Sequence, residues 1–294
     1  MVTVSFLVSA QLLGSPAPAE IAAIAVRAAA SAQCFVDDVA HPTLAPGDVR
    51  HLGRVLRLRA GEEVIVSDGA GHWARARWRD GGAGSASFGA SGSSGSSGSP
   101  GGLEAQYGAA GPGGDGSVQF EPPAEPALTV AFAPTKGERP EWVVQKLTEL
   151  GIDRIVPLVS ERSVVRWSGT RGQAAVARLR RVAREAAAQC RRVWLPEVGD
   201  VVTFGELAEI AGRGDAGQVV LAQLSGDRPS TRQLVVAVGP EGGWSSDELG
   251  SGLPTVGFGL SVLRAETAAV TAGALMASLR TGTVAPVAPV GESS

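Results

Sequence analysis

The sequence predicts a two-domain α/β protein, with a small β-rich domain ahead of a larger domain in which strands and helices alternate. Three observations carry this reading. Short runs rich in β-branched and aromatic residues, bounded by turn residues, fill the region before residue 80. A Gly/Ser-rich stretch and then a Pro-rich stretch break the composition near the middle of the chain. Beyond Ala127, apolar runs of strand length alternate with helical patterns, which signals a mainly parallel sheet.

Residues 1–32 read as an extension. Met1 to Ala19 is fairly apolar and ends in Ala17-Pro18-Ala19, but it has no basic n-region, which sets it apart from a signal peptide and favours the cytoplasm. The small domain spans 33–124. Its strands are Cys34 to Val36, Glu63 to Ser67 and His72 to Trp78, with Asp68-Gly-Ala-Gly71 turning the last two into a hairpin. From Gly81 to Ser117 the chain cannot bury enough apolar surface to offset its ordering entropy, so a mobile loop without chemistry is expected. Val118 to Phe120 resumes the sheet, and Pro122, Pro123 and Pro126 mark the boundary.

The larger domain spans 125–282, followed by a tail over 283–294. Strands are expected at Leu128 to Ala133, Ile152 to Val159, Val219 to Leu224, Leu234 to Val238 and Thr255 to Phe258. Helices fit Pro140 to Leu150, Gln173 to Arg192, Phe204 to Ile210 and Glu266 to Arg280, and Pro140 suits a first turn.

At 294 residues and 44% hydrophobic the chain can bury a full core. Its apolar runs stop well short of the roughly 18 residues a membrane span needs. Cys34 and Cys190 form no CxxC or Cys/His cluster, and His41, His51 and His72 add no metal spacing, so no metal site is expected. The formal charge of −3 hides local excess. Nine arginines between Glu161 and Arg192 face only Glu161 and Glu185, and Arg50, Arg54, Arg57 and Arg59 form a second run without an acid between Val49 and Gly61. Each run alone fits a solvated face; together they suit a polyanionic partner.

Two loops could carry chemistry. Val238-Gly-Pro-Glu-Gly-Gly243 leaves an apolar strand and leads into Ser245 to Leu249, a helix start with a serine cap and early acids. Its glycines admit a ligand to the backbone, yet it is also compatible with a plain strand-to-helix turn. No GxGxxG or GxxxxGK[ST] is present, which argues against a dinucleotide fold or a P-loop NTPase. The second loop, Gly257 to Ala268, brings Arg264, Glu266 and Thr267 to the mouth of an otherwise apolar segment. Glu266 also suits a plain first-turn acid.

Together with Thr135 to Gly151, Pro157 to Ser163, Ala186 to Arg192 and His51 to Gly61, these segments resemble, in order, the motifs of the RsmE family of 16S rRNA uridine-N3 methyltransferases. The resemblance covers about Phe35 to Arg280 apart from the Gly/Ser stretch. It implies a C-terminal SPOUT domain with a trefoil knot, an N-terminal PUA-like RNA-binding domain, and a homodimer. The implied cofactor is S-adenosyl-L-methionine, held by Leu221, Ala222, Gln223 and Leu224, by Gly239, Pro240, Glu241, Gly242 and Gly243, and by Phe258, Gly259, Leu260, Val262 and Leu263. Arg264 and Glu266 are the implied catalytic pair. Glu266 is either a base or a support for Arg264, and the sequence does not choose. The partner is 16S rRNA within the small ribosomal subunit, gripped by His51, Arg54, Arg57, Arg59, Lys136, Arg139, Arg162, Arg166, Gln189, Arg191 and Arg192. No membrane or metal is implied.

Some features depart from the family pattern. Leu221 to Gly226 lacks a His-Glu pair many relatives carry, and Ser261 stands at an often basic position. Two other readings fit the same motifs: a SPOUT methyltransferase for another rRNA or tRNA nucleotide, and a non-catalytic rRNA-binding assembly factor.

Overall fold

A computed structural model of the chain describes residues 18–79, 102–105, 117–212 and 218–285. Most of the Gly/Ser stretch, residues 1–17 and the tail from 286 onward lie outside the described residues. The chain divides into two compact units. Among the described residues, one comprises those within 22–123 together with Ala187–Leu195, and the other comprises 18–21, Ala124–Ala186 and those within 196–285.

In the N-terminal unit, helix α1 (Pro18–Ala29) leads into β1 (Ala32–Phe35), followed by α2 (Pro46–Arg50) running on into a π-helical turn at His51–Val55. Strands β2 (Glu63–Ser67) and β3 (His72–Arg79) form the expected hairpin, with β1 parallel to β2. Asp68 builds the turn by accepting the N–H groups of Ala70 and His72 at 2.7 and 3.1 Å. Strand β4 (Gly102–Ala105) pairs antiparallel with β3 inside the stretch read from sequence as a loop. Leu103 packs there against two apolar clusters, a contact too short to rise above the surrounding Gly/Ser composition. Strand β5 (Gln119–Phe120) also joins β3, as expected.

Residues 187–195 complete this unit. Val193 packs with Ile65 and Trp73, Gln33 donates to the Arg192 carbonyl at 2.6 Å, and Trp194 donates to that of Glu121 at 2.9 Å. A side chain on Gly71 would meet the Glu121 carbonyl at 2.5 Å and the Trp194 ring at 2.7 Å, so only glycine fits. Helix α1 was not foreseen. It contributes Arg27, whose guanidinium is buried over the Trp73 ring, pairs with Glu121 and donates to the Arg191 carbonyl at 3.1 Å. Burial pushes the Arg27 pKa down.

The C-terminal unit is a parallel sheet. Its strands are β6 (Thr129–Phe132), β7 (Arg154–Val159), β8 (Glu197–Val198), β9 (Val202–Thr203), β10 (Gln218–Asp227), β11 (Gln233–Val238) and β12 (Thr255–Val256). They run in the order β12-β10-β11-β6-β7-β8, with β9 on β7. Its helices are α3 (Arg139–Glu149), α4 (Gly169–Gln189), α5 (Phe204–Gly212), α6 (Ser246–Leu249) and α7 (Ala265–Arg280). Alternate strand residues feed two separate cores. Val130, Ile155, Val220 and Val236 pack against α3, α4 and α7, while Ala131, Leu158, Leu221 and Ala237 pack with Leu207 of α5 and Trp244. Burial on both faces explains why these strands read as continuous apolar runs. Because all strands point the same way, their following loops gather at one sheet edge, where α/β ligand sites form.

Candidate active site

Three loops at that edge enclose a cleft of about 190 Å³. The first comes from β10. Ala222 and Asp227 both pair with Val256, so residues 223–226 bulge out between them. A side chain on Gly226 would lie 2.5 Å from the Val256 backbone, and one on Gly257 would lie 2.9 Å from the Gly226 carbonyl, so this crossing requires glycine on both sides. The second loop is Gly239 to Trp244, leaving β11. The third is Phe258 to Leu263, between β12 and α7.

The cleft is lined by Ala222, Gln223, Leu224, Gly239, Pro240, Glu241, Gly243, Phe258, Gly259, Val262 and Leu263, all named from the sequence. Three others stand elsewhere. Leu221 is fully buried in the core beneath, Leu260 is fully exposed, and Gly242 turns toward Arg162, whose Cβ is 3.5 Å from where a Gly242 side chain would begin. Lining residues that the sequence did not single out are Val238, Trp244, Val256, Ala265 and Ala268, together with Ser261, noted there only as a departure from the family pattern. Trp244 is the most consequential. It is buried, packs tilted against Phe204 with ring centroids 5.8 Å apart and donates its indole N–H to the Ala222 carbonyl at 2.9 Å, tying the first loop to the second. Its place directly after the glycine-rich run was the available signal.

The second loop is braced from two sides. Ser245 caps α6 with a reciprocal box, its hydroxyl accepting the Glu248 N–H at 3.2 Å while Glu248 accepts the Ser245 N–H at 2.8 Å. The other Glu248 oxygen accepts the Glu161 N–H at 2.8 Å. Arg162 donates to the Gly242 carbonyl at 3.1 Å, and Arg166 to the carbonyls of Glu161 and Ser163 at 2.6 and 3.3 Å.

Arg264 caps the N-terminus of α7 in extended backbone; its side chain is exposed and has no partner among the described residues. Glu266, in the first turn, lies 3.5 Å from Arg139, and its other oxygen is buried without a hydrogen-bond partner. Arg139 also lies 3.8 Å from Glu241.

Among the other basic candidates, His51, Arg54, Arg57 and Arg59 are exposed around the π-helical turn, and Lys136 and Gln189 are exposed. Arg191 is used internally, donating to the carbonyls of Ala188 and Ala30 at 2.9 and 3.0 Å, and burial lowers its pKa. Arg192 is half-buried in the same segment. The basic excess of α4 is offset by acids distant in sequence. Arg178 pairs with Glu141 at 2.9 Å and Arg180 with Asp200 at 3.0 Å. Among the described residues no cluster of three His, Cys, Asp or Glu could hold a metal, and no helix is long and apolar enough to cross a membrane.

Comparison with known proteins agrees with this architecture. Residues 122–277 match the RNA methyltransferase domain family and residues 44–85 the RNA methyltransferase PUA domain. Ribosomal RNA small subunit methyltransferase E of Synechocystis is 32% identical, the match covering 77% of this chain and 69% of that protein. The protein of the same name from Mycobacterium bovis is 32% identical over 76% of this chain and 80% of its own. Among solved structures, a probable rRNA-methyltransferase from Porphyromonas gingivalis shares the fold with a TM-score of 0.64 at 23% identity, covering 86% of this chain and all of that one. A ribosomal RNA small subunit methyltransferase E from Neisseria gonorrhoeae, bound to S-adenosyl methionine, superposes with a TM-score of 0.62 at 23% identity, over 84% and 97% of the two chains. With a methyltransferase-domain match over its parallel sheet and a PUA-domain match at its N-terminal unit, the chain belongs to the ribosomal RNA small subunit methyltransferase E family of RNA methyltransferases.

Proposed function

We propose that this protein methylates N3 of a uridine in 16S rRNA within the small ribosomal subunit, using S-adenosyl-L-methionine. The observation that carries the proposal is the convergence of three glycine-containing loops on one cleft at the carboxyl edge of a parallel sheet.

The cleft fits the cofactor. Gly243 and Gly259 line it at φ +68° and +129°, and a Cβ at either would meet no protein atom within 4 Å. Backbone is thereby left bare toward a ligand where a side chain would intrude. Phe258, Val262 and Leu263 supply apolar walls, and Glu241 a negative group suited to a cationic ligand. When bound, the cofactor supplies an electrophilic methyl group on a sulfonium. The cleft's part is alignment, which dominates a transfer that needs reacting atoms in line. At N3 a proton must leave, and negative charge spreads over the uracil oxygens. Arg264, exposed at the head of α7 with no side-chain partner among the described residues, is the group we assign to that charge. Glu266 stays beside Arg139, with one buried oxygen free to accept a hydrogen bond.

RNA binding is assigned to the exposed His51, Arg54, Arg57 and Arg59 turn and to Lys136, by phosphate neutralisation that reads no sequence. The target base must leave its stack to reach the cleft. The proposal includes a homodimer in the cytoplasm and a knotted passage of the chain. The tight crossing of Gly226 and Gly257 supports the knot.

Calorimetric titration with S-adenosylmethionine separates this reading from a non-catalytic assembly factor. Mapping modified nucleotides in RNA from a strain lacking the gene separates it from a methyltransferase for another rRNA or tRNA position.

A further inference from the structure

Arg139 lies between two carboxylates on different elements of the cleft: Glu241 of the β11 loop at 3.8 Å and Glu266 of the first turn of α7 at 3.5 Å. Resting on the function proposed above, we infer that Arg139 is a positioning residue for the cofactor cleft and not a contact to RNA phosphate.

Its location is rigidly set. Arg139 is the first residue of α3, which packs on α7 closely enough that a side chain on Gly273 would lie 2.5 Å from the Leu147 side chain. The helix pair therefore fixes the distance between the Arg139 and Glu266 backbones. The Glu266 side chain is only 13% exposed and one of its oxygens is buried without a hydrogen-bond partner among the described residues, so removing the cation beside it would leave a buried carboxylate without a counter-charge. Glu241 lines the cleft, and Arg139 ties it to the same point. A planar guanidinium can serve two carboxylates at once, which the point charge of lysine cannot reproduce. Lys136 offers the contrast: it is exposed, three residues upstream, and has no partner among the described residues.

The test compares Arg139→Gln, Arg139→Lys and Lys136→Gln for S-adenosylmethionine binding by calorimetry and for steady-state methylation of small ribosomal subunits over a salt series. Thermal unfolding of each variant confirms that it is folded. For Arg139→Gln we expect cofactor affinity to fall about tenfold or more and kcat to fall with it, as for a displaced group near the reacting atoms, where misplacement can cost on the order of a hundredfold. KM for the subunit should stay within about twofold of its original value, and Arg139→Lys should recover only part of the loss. Lys136→Gln should do the reverse, raising KM and reducing the salt slope by about 1. If Arg139→Gln instead raises the subunit KM, flattens the salt slope and leaves cofactor affinity unchanged, Arg139 is a phosphate contact and the inference is wrong. If the unaltered protein binds no S-adenosylmethionine, the functional reading itself fails, a result distinct from either of these.

Discussion

The Glu248 carboxylate accepts the Glu161 backbone N–H at 2.8 Å while its second oxygen caps α6 through Ser245, so one buried side chain fastens the loop after β7 to the helix that follows the glycine-rich loop. Replacing Glu248 with alanine keeps the Ser245 hydroxyl cap on the residue-248 N–H but removes the reciprocal half of the capping box, leaving two backbone donors, those of Ser245 and Glu161, without their acceptor. We expect a loss of roughly 2–4 kcal/mol in unfolding free energy, from about 1–3 for each of the two unsatisfied donors less what water restores. Chemical denaturation measures it. A Glu248→Ala protein as stable as the original would show that the two loops are held by other means.

The glycines of the second loop are not equivalent. A side chain on Gly239 would lie 3.1 Å from the Trp244 ring, and Gly243 holds φ +68°, whereas Gly242 has ordinary space beside Arg162. Gly239→Ala and Gly243→Ala should therefore weaken cofactor binding, the first by moving Trp244 off the Ala222 carbonyl and the second by straining the turn at about 1–2 kcal/mol. Gly242→Ala should bind within about twofold of the original. Equal losses at all three, read by calorimetry, would mean that the loop responds as a unit.

Much of this site was legible in the chain, and the reasons for the exceptions are physical. Five strands of the larger unit could be read because burial leaves apolar runs such as Leu234 to Val238, whereas β8 and β9, two residues each, were missed because they are too short to form such a run. The cleft loops could be read because glycine is required wherever backbone meets ligand or backbone. Gly242 was placed on the cleft from its neighbours' company, since spacing does not reveal which of the adjacent Gly242 and Gly243 faces inward. Arg191 and the α4 arginines looked like a free basic surface because their partners, Ala30, Glu141 and Asp200, are remote in sequence. Helix α1 fell in a stretch read as an extension because its outer face carries Ile21 and Ile24, exposed where an amphipathic pattern would place polar residues.

The two kinds of arginine give opposite outcomes. Arg54→Gln removes an exposed charge, so RNA affinity should drop, with a salt slope smaller by about 1, at unchanged melting temperature. Arg191→Ala breaks donations to Ala188 and Ala30, and we expect about 1–3 kcal/mol of destabilisation. Filter binding over a salt series and a thermal melt on both proteins check the pair; a normal melt for Arg191→Ala would contradict the structural role.

The Arg264 side chain makes no hydrogen bond or ion pair among the described residues, so Arg264→Ala should melt normally and bind cofactor normally. Its kcat and kcat/KM for RNA should fall together, by about a hundredfold to a thousandfold if it stabilises the developing oxyanion. Single-turnover methylation reads this without interference from product release, and a normal rate in the alanine variant would remove Arg264 from the chemistry.

Locating the transferred methyl group distinguishes uridine-N3 methylation from every alternative. Small ribosomal subunits from a strain lacking the gene are incubated with the purified protein and methyl-labelled S-adenosylmethionine, and the RNA is digested to nucleosides and analysed by mass spectrometry. Label is expected in 3-methyluridine at one position of 16S rRNA. Label in a different nucleoside, or no label from a protein that binds the cofactor, would contradict uridine-N3 methylation.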